Sequence, residues 1–557
     1  MKKYSQLFVL MLSLSVVLAG CFGGDTDDDG DTNDDAGTAS DVPQELTVLE
    51  TSSIPGLDTG IVADTVSFST MNNVFEGLNR LNADQETVPA VADGEPEVSE
   101  DGTVYTYTLK EDAVWSNGDP VTAHDFVFAW QRALDPEAGS DYGPYLMEGK
   151  IKGASEIFND GADPSTLGAV ALDDKTLEIT LEKPIAYFNS LMAFPTFFPQ
   201  NQAFVEEQGD KYASDASTLI FNGPFVLDTW AGTTASEWEY AKNEDYWDAE
   251  NVALDKITFN EVKASQTAVN LYETGDAEIT SKLSSELVAQ FEGDPNLVSW
   301  LEPVVFWVKM NQTNDALKNE NIRRALATAI DKQSLTDNIF NNGSIPANYA
   351  VPQEFVQNPE TGEDFREANG DMLTYDLEAA QEFWAKGLEE LGEDSIQLSY
   401  LGGDSEAAMD ADEYIINQLE TNLEGLSIKL DSVPFSVRLE RDKTLDYDLQ
   451  FAGWGPDYLD PISFSDLWIT DGGNNKMAYS SEKYDSLLKD AETTYANDPA
   501  KRFEALQEAE KVLLEEDAAI IPIYQRKANI LVNENVNNFT YHDVGPEFSF
   551  FPISKSE

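Results

Sequence analysis

The chain has 557 residues, enough for about two or three domains, and its 41% hydrophobic content is typical of a folded globular protein. Its 103 acidic residues against 34 basic ones give a formal net charge of −69 at pH 7. This charge argues against nucleic acid or an anionic membrane surface as a partner, because either would repel the chain. It also fits saline or alkaline surroundings, where dissolved salt screens self-repulsion.

The N-terminus has the layout of an export signal. Two lysines precede an apolar run over 7–18, which is too short for a good membrane span. The motif LAGC that ends at Cys21 resembles the lipobox of bacterial lipoproteins, in which the cysteine carries a lipid after cleavage. The resemblance predicts a signal peptide over 1–20 and a lipid anchor at Cys21, on the extracellular face of a Gram-positive type of cell membrane. The alternative is an ordinary signal peptide with an incidental cysteine.

The segment 21–41 consists largely of Asp, Gly, Thr and Ser, with little to bury. We expect it to form a flexible, acidic, lipid-anchored tether. Cys21 is the only cysteine in the sequence, which excludes a disulfide framework and a thiolate metal cluster.

Strand and helix patterns are mixed along the rest of the chain. Alternation with a period of two residues predicts strands over 45–50, 103–110, 175–182 and 255–262. An apolar stripe predicts a helix over 321–335, and an Asp-Pro start signal predicts another over 498–517. Because strands and helices mix without a repeat of fixed period, the fold class is α/β with more than one lobe.

Six sequence blocks follow one another in a recognisable order: NNVFEGLNRLN (72–82), LKEDAVWSNGDPVTAHDFVFAWQRALDP (109–136), FNGPFVLDTW (221–230), NEDYWD (243–248), NIRRALATAID (321–331) and GWGPDYLDP (453–461). Together they resemble the extracellular solute-binding proteins of family 5. The most similar group is the oligopeptide-binding lipoproteins of peptide ABC importers. Each block alone is a modest signal, but the six cover nearly the whole mature chain.

The resemblance implies a two-lobed, periplasmic-binding-protein-like fold with a hinged ligand cleft and an extra subdomain on the first lobe. Lobe I would take residues 42–82, 215–302 and 525–557, the extra subdomain 83–214, and lobe II 303–524. It also implies a monomeric receptor that captures oligopeptides between the lobes and delivers them to the permease subunits of the transporter. Neither an enzyme activity nor a cofactor or metal is implied.

Two acids stand among aromatic residues in the block 453–461. A free peptide carries an α-ammonium group that is charged at neutral pH, and burying that charge unpaired is costly. Asp457 matches the family aspartate that holds the peptide amine; the alternative is a cap on the turn that Gly455 and Pro456 favour. Asp460, which precedes a proline, is expected to play that local turn role.

The other predicted site residues are less specific. Gly453 and Trp454 could pair with an extended ligand as a strand pairs with a sheet edge, with Ser53 and Ile54 at the opposite edge. Arg438 and Arg441 could bind the ligand's carboxylate, or be surface charges. The remaining cleft candidates are Asn222, Gly223 and Phe225, which could instead form a tight turn, Tyr142 and Tyr145, for which core packing is the alternative, and Tyr458.

A secreted hydrolase is the main rival class. A serine hydrolase needs a histidine base, and the sequence offers only His124 and His542, with no GxSxG or HExxH motif. A glycosidase needs only two carboxylates, so composition does not exclude it. A binding protein of the same fold for a dipeptide, a signalling peptide or an oligosaccharide is the other alternative. The role of Asp457 discriminates between a peptide and an oligosaccharide as the ligand, because a neutral sugar needs no carboxylate.

Overall fold

The computed structural model describes residues 42–556, apart from residues 63, 359, 405, 434, 497 and 546. The expected signal peptide, Cys21 and the acidic tether lie outside the described residues. In the part of the chain that the structure describes, no helix has the length and apolar character needed to cross a membrane.

Strands run from one end of the described chain to the other. In chain order they are β1 (Glu45–Glu50), β2 (Asn79–Leu81), β3 (Thr87–Pro89), β4 (Glu97–Val98), β5 (Val104–Thr108), β6 (Ala169–Asp173), β7 (Thr176–Thr180), β8 (Phe225–Thr229), β9 (Glu237–Lys242), β10 (Lys256–Glu261), β11 (Leu297–Met310), β12 (Ile345–Pro346), β13 (Ile396–Gly403), β14 (Leu426–Val433), β15 (Leu449–Trp454), β16 (Ile520–Leu531), β17 (Val536–Asn537), β18 (Thr540–Tyr541), β19 (Phe548–Ser549) and β20 (Ser554–Lys555).

Helices fill most of the intervals between the strands. They are α1 (Thr65–Val74), α2 (Ala123–Ala133), α3 (Tyr142–Met147), α4 (Ala154–Asp160), α5 (Phe188–Leu191), α6 (Gln202–Gln208), α7 (Ser265–Thr274), α8 (Ser285–Gln290), α9 (Glu320–Thr328), α10 (Lys332–Ser334), α11 (Phe365–Asn369), α12 (Leu377–Leu391), α13 (Glu406–Asn422), α14 (Phe435–Lys443), α15 (Ile462–Ser465), α16 (Glu482–Glu492) and α17 (Pro499–Lys511).

Three sheets organise these elements. One has the order β1-β10-β9-β8, with β1 parallel to β10 and the other pairs antiparallel. A second, β4-β5-β7-β6, is antiparallel throughout. The largest sheet in the described ranges has the order β12-β16-β11-β15-β13-β14 and is mixed, since β13 runs parallel to both β14 and β15.

The long strands β11 and β16 connect the first sheet to the largest one. They pair antiparallel, and their register shifts between Leu301 and Val305 of β11. Single bridges from Ile279 to Val48 of β1 and to Val532, just beyond β16, link this pair to the first sheet. The far halves of both strands lie inside the largest sheet. The fold therefore joins two sheets through one pair of strands.

The buried apolar residues of the described chain form two large clusters. Trp238 and Phe259 belong to the cluster on the first sheet, whereas Val308, Tyr400 and Leu449 belong to a separate cluster on the largest sheet. The first cluster also includes Trp307 of β11 and Ile520 of β16, so it extends from the first sheet to part of the largest one. The exact lobe boundaries stay a prediction.

Local patterns predicted most of the elements tested. The predicted strand 45–50 coincides with β1, and the other three predicted strands agree with β5, β7 and β10 within two residues at each end. The single helix predicted over 321–335 is wrong, because α9 ends at Thr328. The side chain of Asp331 then accepts the N–H of Ser334 at 3.0 Å and begins the separate helix α10.

Candidate ligand-binding site

A cavity of about 520 Å³ lies where the middle of β11, the residues after β15, helix α1 and the segment 542–547 meet. Its volume is within the range of roughly 300–1,000 Å³ that small-ligand pockets occupy. Asp457, Gly453 and Trp454 line it together with Tyr142. The structure thus brings these four sequence-predicted site residues, and also Arg438, to one cavity.

Asp457 lies in the loop that joins β15 to α15. Its own N–H donates to the hydroxyl of Ser463 at 3.2 Å, which fixes the loop from within. The hydroxyl of Tyr142 donates to Oδ1 of Asp457 at 3.2 Å. The other carboxylate oxygen, Oδ2, is buried and has no hydrogen-bond partner among the described groups. The residue as a whole is only 9% exposed, although it lines the cavity.

Burial raises the pKa of the Asp457 carboxyl to about 7, while the nearby hydroxyls of Tyr142 and Tyr145 and the positive charge of Lys150 oppose the rise. A carboxylate in these surroundings is destabilised by loss of water. A cation that entered the cavity would restore the ionised form. The site is therefore suited to a ligand that brings its own positive charge.

Aromatic rings surround this carboxylate. Tyr142 stacks on Phe194 with ring centroids 5.5 Å apart, and Phe68 meets Tyr142 edge-on at 5.3 Å. All three residues line the cavity. Rings of this kind can add cation–π attraction for a bound ammonium group.

Strand β15 presents part of its backbone to the cavity. The carbonyl of Asp448, just before β15, accepts the N–H of Asn311 at 2.9 Å. Because main-chain groups of successive strand residues point to alternate sides, Gln450 and Trp454 face β11, whereas Phe451 and Gly453 face away. On that second side, β13 pairs only with Leu449 and Gln450, and no described strand continues beyond them.

Gly453 lies near the end of this side of β15, beyond the residues that pair with β13. A Cβ atom on Gly453 would come within 2.6 Å of the Phe306 ring, so a side chain at this position would disturb the wall of the cavity. Its N–H and C=O therefore border the cavity as bare backbone, which an extended ligand could pair with.

The opposite wall carries a network of ion pairs. Lys282 contacts Glu302 at 2.7 Å and Glu547 at 2.5 Å, and Arg526 also pairs with Glu302. Glu302 lies within the register shift of β11 between Leu301 and Val305. These four cavity residues were not predicted from the sequence, because they come from four separate segments and share no local motif.

A second cavity of about 700 Å³ adjoins the first, since Tyr142 and Trp454 line both. The sequence-predicted Tyr145 lines this second cavity, together with Asp466 and Lys150. The hydroxyl of Tyr458 donates to Asp466 at 3.3 Å. Burial raises the pKa of Asp466 to about 7. Asp466 was not predicted, and only its proximity in sequence to Asp457 could have indicated it.

Asp460 has both a local and a longer-range role. One carboxylate oxygen accepts the N–H of Ile462 at 2.9 Å, which confirms the predicted turn role. The same carboxylate binds the guanidinium of Arg502 through two bonds of 2.6 and 2.7 Å, with both side chains buried. The positive partner of this aspartate is thus part of the protein itself.

The predicted NGPF residues do not line the cavity. Asn222 forms two hydrogen bonds with the backbone of Glu76, at 2.9 and 3.0 Å. A Cβ atom on Gly223 would come within 2.6 Å of the Val74 backbone, and Phe225 is fully buried in β8. These three residues fasten the first sheet to the end of α1.

Four further candidates also lie away from this cavity. Ile54 is fully buried in the core, and the hydroxyl of Ser53 donates to the carbonyl of Thr233 at 3.0 Å. Tyr458 is buried and stacks on Tyr187 with centroids 4.4 Å apart. Arg441 pairs with two acids, Asp431 of β14 at 2.5 Å and Asp446 at 3.0 Å. Arg438, by contrast, lines the cavity.

The described residues contain no group of three or more His, Cys, Asp or Glu side chains that could hold a metal ion. His542 lines the cavity, and burial lowers its pKa to about 4. Its ring nitrogen Nε2 lies 2.8 Å from the hydroxyl of Ser549. The arrangement of the cavity thus favours binding through a carboxylate, aromatic rings and bare backbone.

Comparison with known proteins agrees with this architecture. The family described as bacterial extracellular solute-binding proteins, family 5 Middle, matches residues 86–476. The chain is 33% identical over 553 residues to the dipeptide-binding protein DppE of Bacillus subtilis (strain 168), covering 98% of each. It is 31% identical over 549 residues to the oligopeptide-binding protein OppA of the same organism, covering 96% of each.

A solved structure extends the likeness to three dimensions. Listeria monocytogenes OppA bound to peptide matches with a TM-score of 0.80 and 42% identity, over 92% of this chain and 99% of that chain. The fold is accordingly the two-lobed, periplasmic-binding-protein-like α/β fold. The chain belongs to the bacterial extracellular solute-binding proteins of family 5.

Proposed function

We propose that this protein captures oligopeptides in the cavity beside Asp457 and delivers them to the permease of an ABC importer. The observation that carries the proposal is a buried carboxylate, with one oxygen lacking a partner among the described groups, next to bare strand backbone. Relatives named as dipeptide- and oligopeptide-binding proteins, and the related structure with bound peptide, support it.

The carboxylate of Asp457 binds the α-ammonium group of the peptide. That group is charged at neutral pH, and its N–H groups can satisfy the buried Oδ2. A charge-assisted pair in low-dielectric surroundings is stronger than a neutral hydrogen bond. Tyr142 already holds Oδ1 and keeps the carboxylate oriented for this contact.

The peptide backbone then pairs with Gly453 along the open side of β15. Main-chain hydrogen bonds do not depend on side-chain identity, so this mode suits a receptor that accepts many sequences. The neighbouring 700 Å³ cavity beside Trp454 offers room for a side chain. Binding in this way needs no covalent step, and a labelled peptide should be recovered uncut after incubation.

Capture and delivery use the two lobes and the lipid anchor. A lipid on Cys21 and the tether over 21–41 keep the receptor at the outer face of the membrane. The lobes close around the peptide on the hinge of β11 and β16, and the greater affinity of the closed form for the ligand drives closure. Closed receptor then docks on the permease, which reopens it.

Titration calorimetry with a short peptide such as trialanine tests the proposal. We expect Asp457→Asn to weaken binding at least tenfold, a cost of about 1.4 kcal/mol or more. Asp543→Asn is the matched control, because it removes another carboxylate from the same cavity and should weaken binding less. Equal affinities of the wild type and Asp457→Asn, with unchanged melting temperatures, would refute the role of Asp457.

The same measurements separate peptides from an oligosaccharide. A neutral sugar would bind the wild type and Asp457→Asn alike, because it brings no ammonium group. Mass spectrometry of molecules that co-purify with the protein identifies the natural ligand, including any dipeptide or signalling peptide. A co-purifying sugar in place of peptide would overturn the proposal.

A further inference from the structure

We propose that residues 183–190, in the predicted extra subdomain, form a latch that holds lobe II closed over a bound peptide. We call these residues the latch segment. The inference rests on the proposed function and adds to it a contact that sets how long the peptide stays bound. This contact does not depend on the sequence of the peptide.

The latch segment is fixed within its own subdomain. It follows β7 and runs into α5. The ring of Phe188 packs on Tyr105 of β5 with centroids 4.7 Å apart. The hydroxyl of Tyr107, also in β5, donates to the side chain of Asn189 at 2.8 Å. The segment must therefore move together with the sheet that contains β5.

On its other side the latch segment contacts the loop that carries Asp457. Tyr187 stacks on Tyr458 with centroids 4.4 Å apart and ring planes within 8° of parallel, and both residues are buried. The N–H of Leu459 donates to the hydroxyl of Ser190 at 3.3 Å. Because Tyr458 and Leu459 directly follow Asp457, the latch segment holds the loop in which the proposed amine anchor lies.

An ion pair completes the contact between the latch segment and lobe II. Nζ of Lys183 lies 2.8 Å from Oε2 of Glu492, the last residue of α16. The two side chains are only 29% and 25% exposed, so solvent screens their attraction less than that of a fully exposed pair. The crevice between residues 183–187 and the helices α16 and α17 has a volume of about 10 Å³, at the lower limit for one water molecule. The two surfaces are therefore closely packed.

These contacts lie across the proposed hinge. The latch segment precedes β11 in the chain, whereas Tyr458, Leu459 and Glu492 lie between β11 and β16. A rotation about β11 and β16 that opens the cleft would separate the two groups, so the latch contacts must break before a peptide leaves. The described residues that line the ligand cavity include neither the latch segment nor its three partners. The latch should therefore stabilise the closed form by the same factor for every peptide.

The rate of peptide release measures the strength of the latch. The probe is trialanine extended by a C-terminal lysine that carries a dansyl group, displaced by excess trialanine in a stopped-flow instrument. Lys183→Glu and Glu492→Lys each turn the attraction of the pair into repulsion, and we expect each to release the probe at least fivefold faster than the wild type. The double variant restores opposite charges, so its release rate should return to within about twofold of the wild-type rate.

A control variant and a second peptide assign the effect to the contact across the hinge. Lys483→Glu is the matched control, because Lys483 lies on α16 like Glu492 but pairs with Glu508 and Glu516 of the same predicted lobe. Its release rate should stay within about twofold of the wild-type rate. Lys183→Glu should weaken the binding of trialanine and of the pentapeptide AWAAA by the same factor within about twofold, whereas a change within the ligand cavity would affect them differently. Melting temperatures report whether the variants are folded.

The outcomes distinguish this inference from the proposed function. If both single variants release the probe at the wild-type rate, or the double variant is as fast as they are, the assignment of the latch is wrong while peptide binding stands. If no peptide binds the wild type, the proposed function itself fails, and small-angle X-ray scattering of the empty proteins decides on the latch. A larger radius of gyration for the single variants than for the wild type and the double variant supports the latch, and equal radii refute it. Should a reversal variant not fold, Lys183→Gln takes its place, with release at least twofold faster expected and an unchanged rate refuting the latch.

Discussion

The affinity for peptides should depend steeply on pH, because the ligand's main anchor is a carboxyl group with a raised pKa. In the empty cavity Asp457 has a pKa of about 7. Below that pH the carboxyl holds a proton, which an incoming ammonium group must displace. The peptide amine has an ordinary pKa of about 7.7–8.0 and stays charged at acid pH. Affinity should therefore fall as the pH is lowered through 7.

The size of the effect follows from the ionised fraction of Asp457. For a pKa of about 7 that fraction falls about 25-fold between pH 7.5 and 5.5, whereas a carboxyl with an ordinary pKa near 3.9 would stay ionised throughout. Above about pH 8 the peptide loses its own charge, so affinity declines again. We expect a maximum between about pH 7 and 8.

Calorimetry with trialanine at pH 5.5 and 7.5, at constant ionic strength, measures this ratio. Asp457→Asn is the necessary control, since burial also raises the pKa of Asp543 to about 6 and that of Asp466 to about 7. The variant should lose most of the pH dependence but keep any part due to its neighbours. Repeating the titration in buffers of different ionisation enthalpy should show proton release on binding at pH 6. A wild-type ratio equal to that of the variant would refute the reasoning.

Two further predictions concern stability. Arg502→Met leaves Asp460 buried without its bidentate partner. Urea denaturation should therefore show that the free energy of unfolding falls by about 3–5 kcal/mol, and adding Asp460→Leu should restore much of it. A decrease below about 1 kcal/mol would contradict the view that this buried pair stabilises the fold. The net charge of −69 destabilises the compact state through self-repulsion. The melting temperature should therefore rise as the KCl concentration is increased from 0.1 to 2 M, because salt screens the repulsion. A melting temperature that stays constant or falls would contradict this role of self-repulsion.

Local sequence patterns predicted elements whose signals are themselves local. The strand 45–50 was found at its predicted bounds. Thr122 and Asp125, which lie three residues apart, begin α2, with the N–H of Thr122 donating to the carboxylate of Asp125 at 2.8 Å. The predicted helix over 321–335 failed because Asp331 can cap a new helix in the middle of an apolar stripe. A capping side chain can begin a new helix where the apolar pattern would let the first helix continue. The apolar periodicity alone does not show which of the two structures forms.

The residues of the candidate site were only partly predictable from the sequence, because many of them are brought together by long-range contacts. Asp457 and Gly453 stand in one short block, so a family resemblance could indicate them together. Glu302 and Arg526 meet only because β11 and β16 pair with a shifted register, which no local pattern encodes. Asn222 occupies a recognisable turn, yet its partner Glu76 is 146 residues away in sequence. Residues that depend on such long-range pairing require the folded structure.

The most direct measurement compares one peptide with its N-acetylated form in the same calorimetric titration. Acetylation removes the ammonium charge and leaves the rest of the molecule unchanged. We predict that the acetylated peptide binds the wild type at least tenfold more weakly, and that Asp457→Asn shows little difference between the two forms. Equal affinity of the wild type for both peptides would contradict the central claim that Asp457 binds the amino end of the ligand.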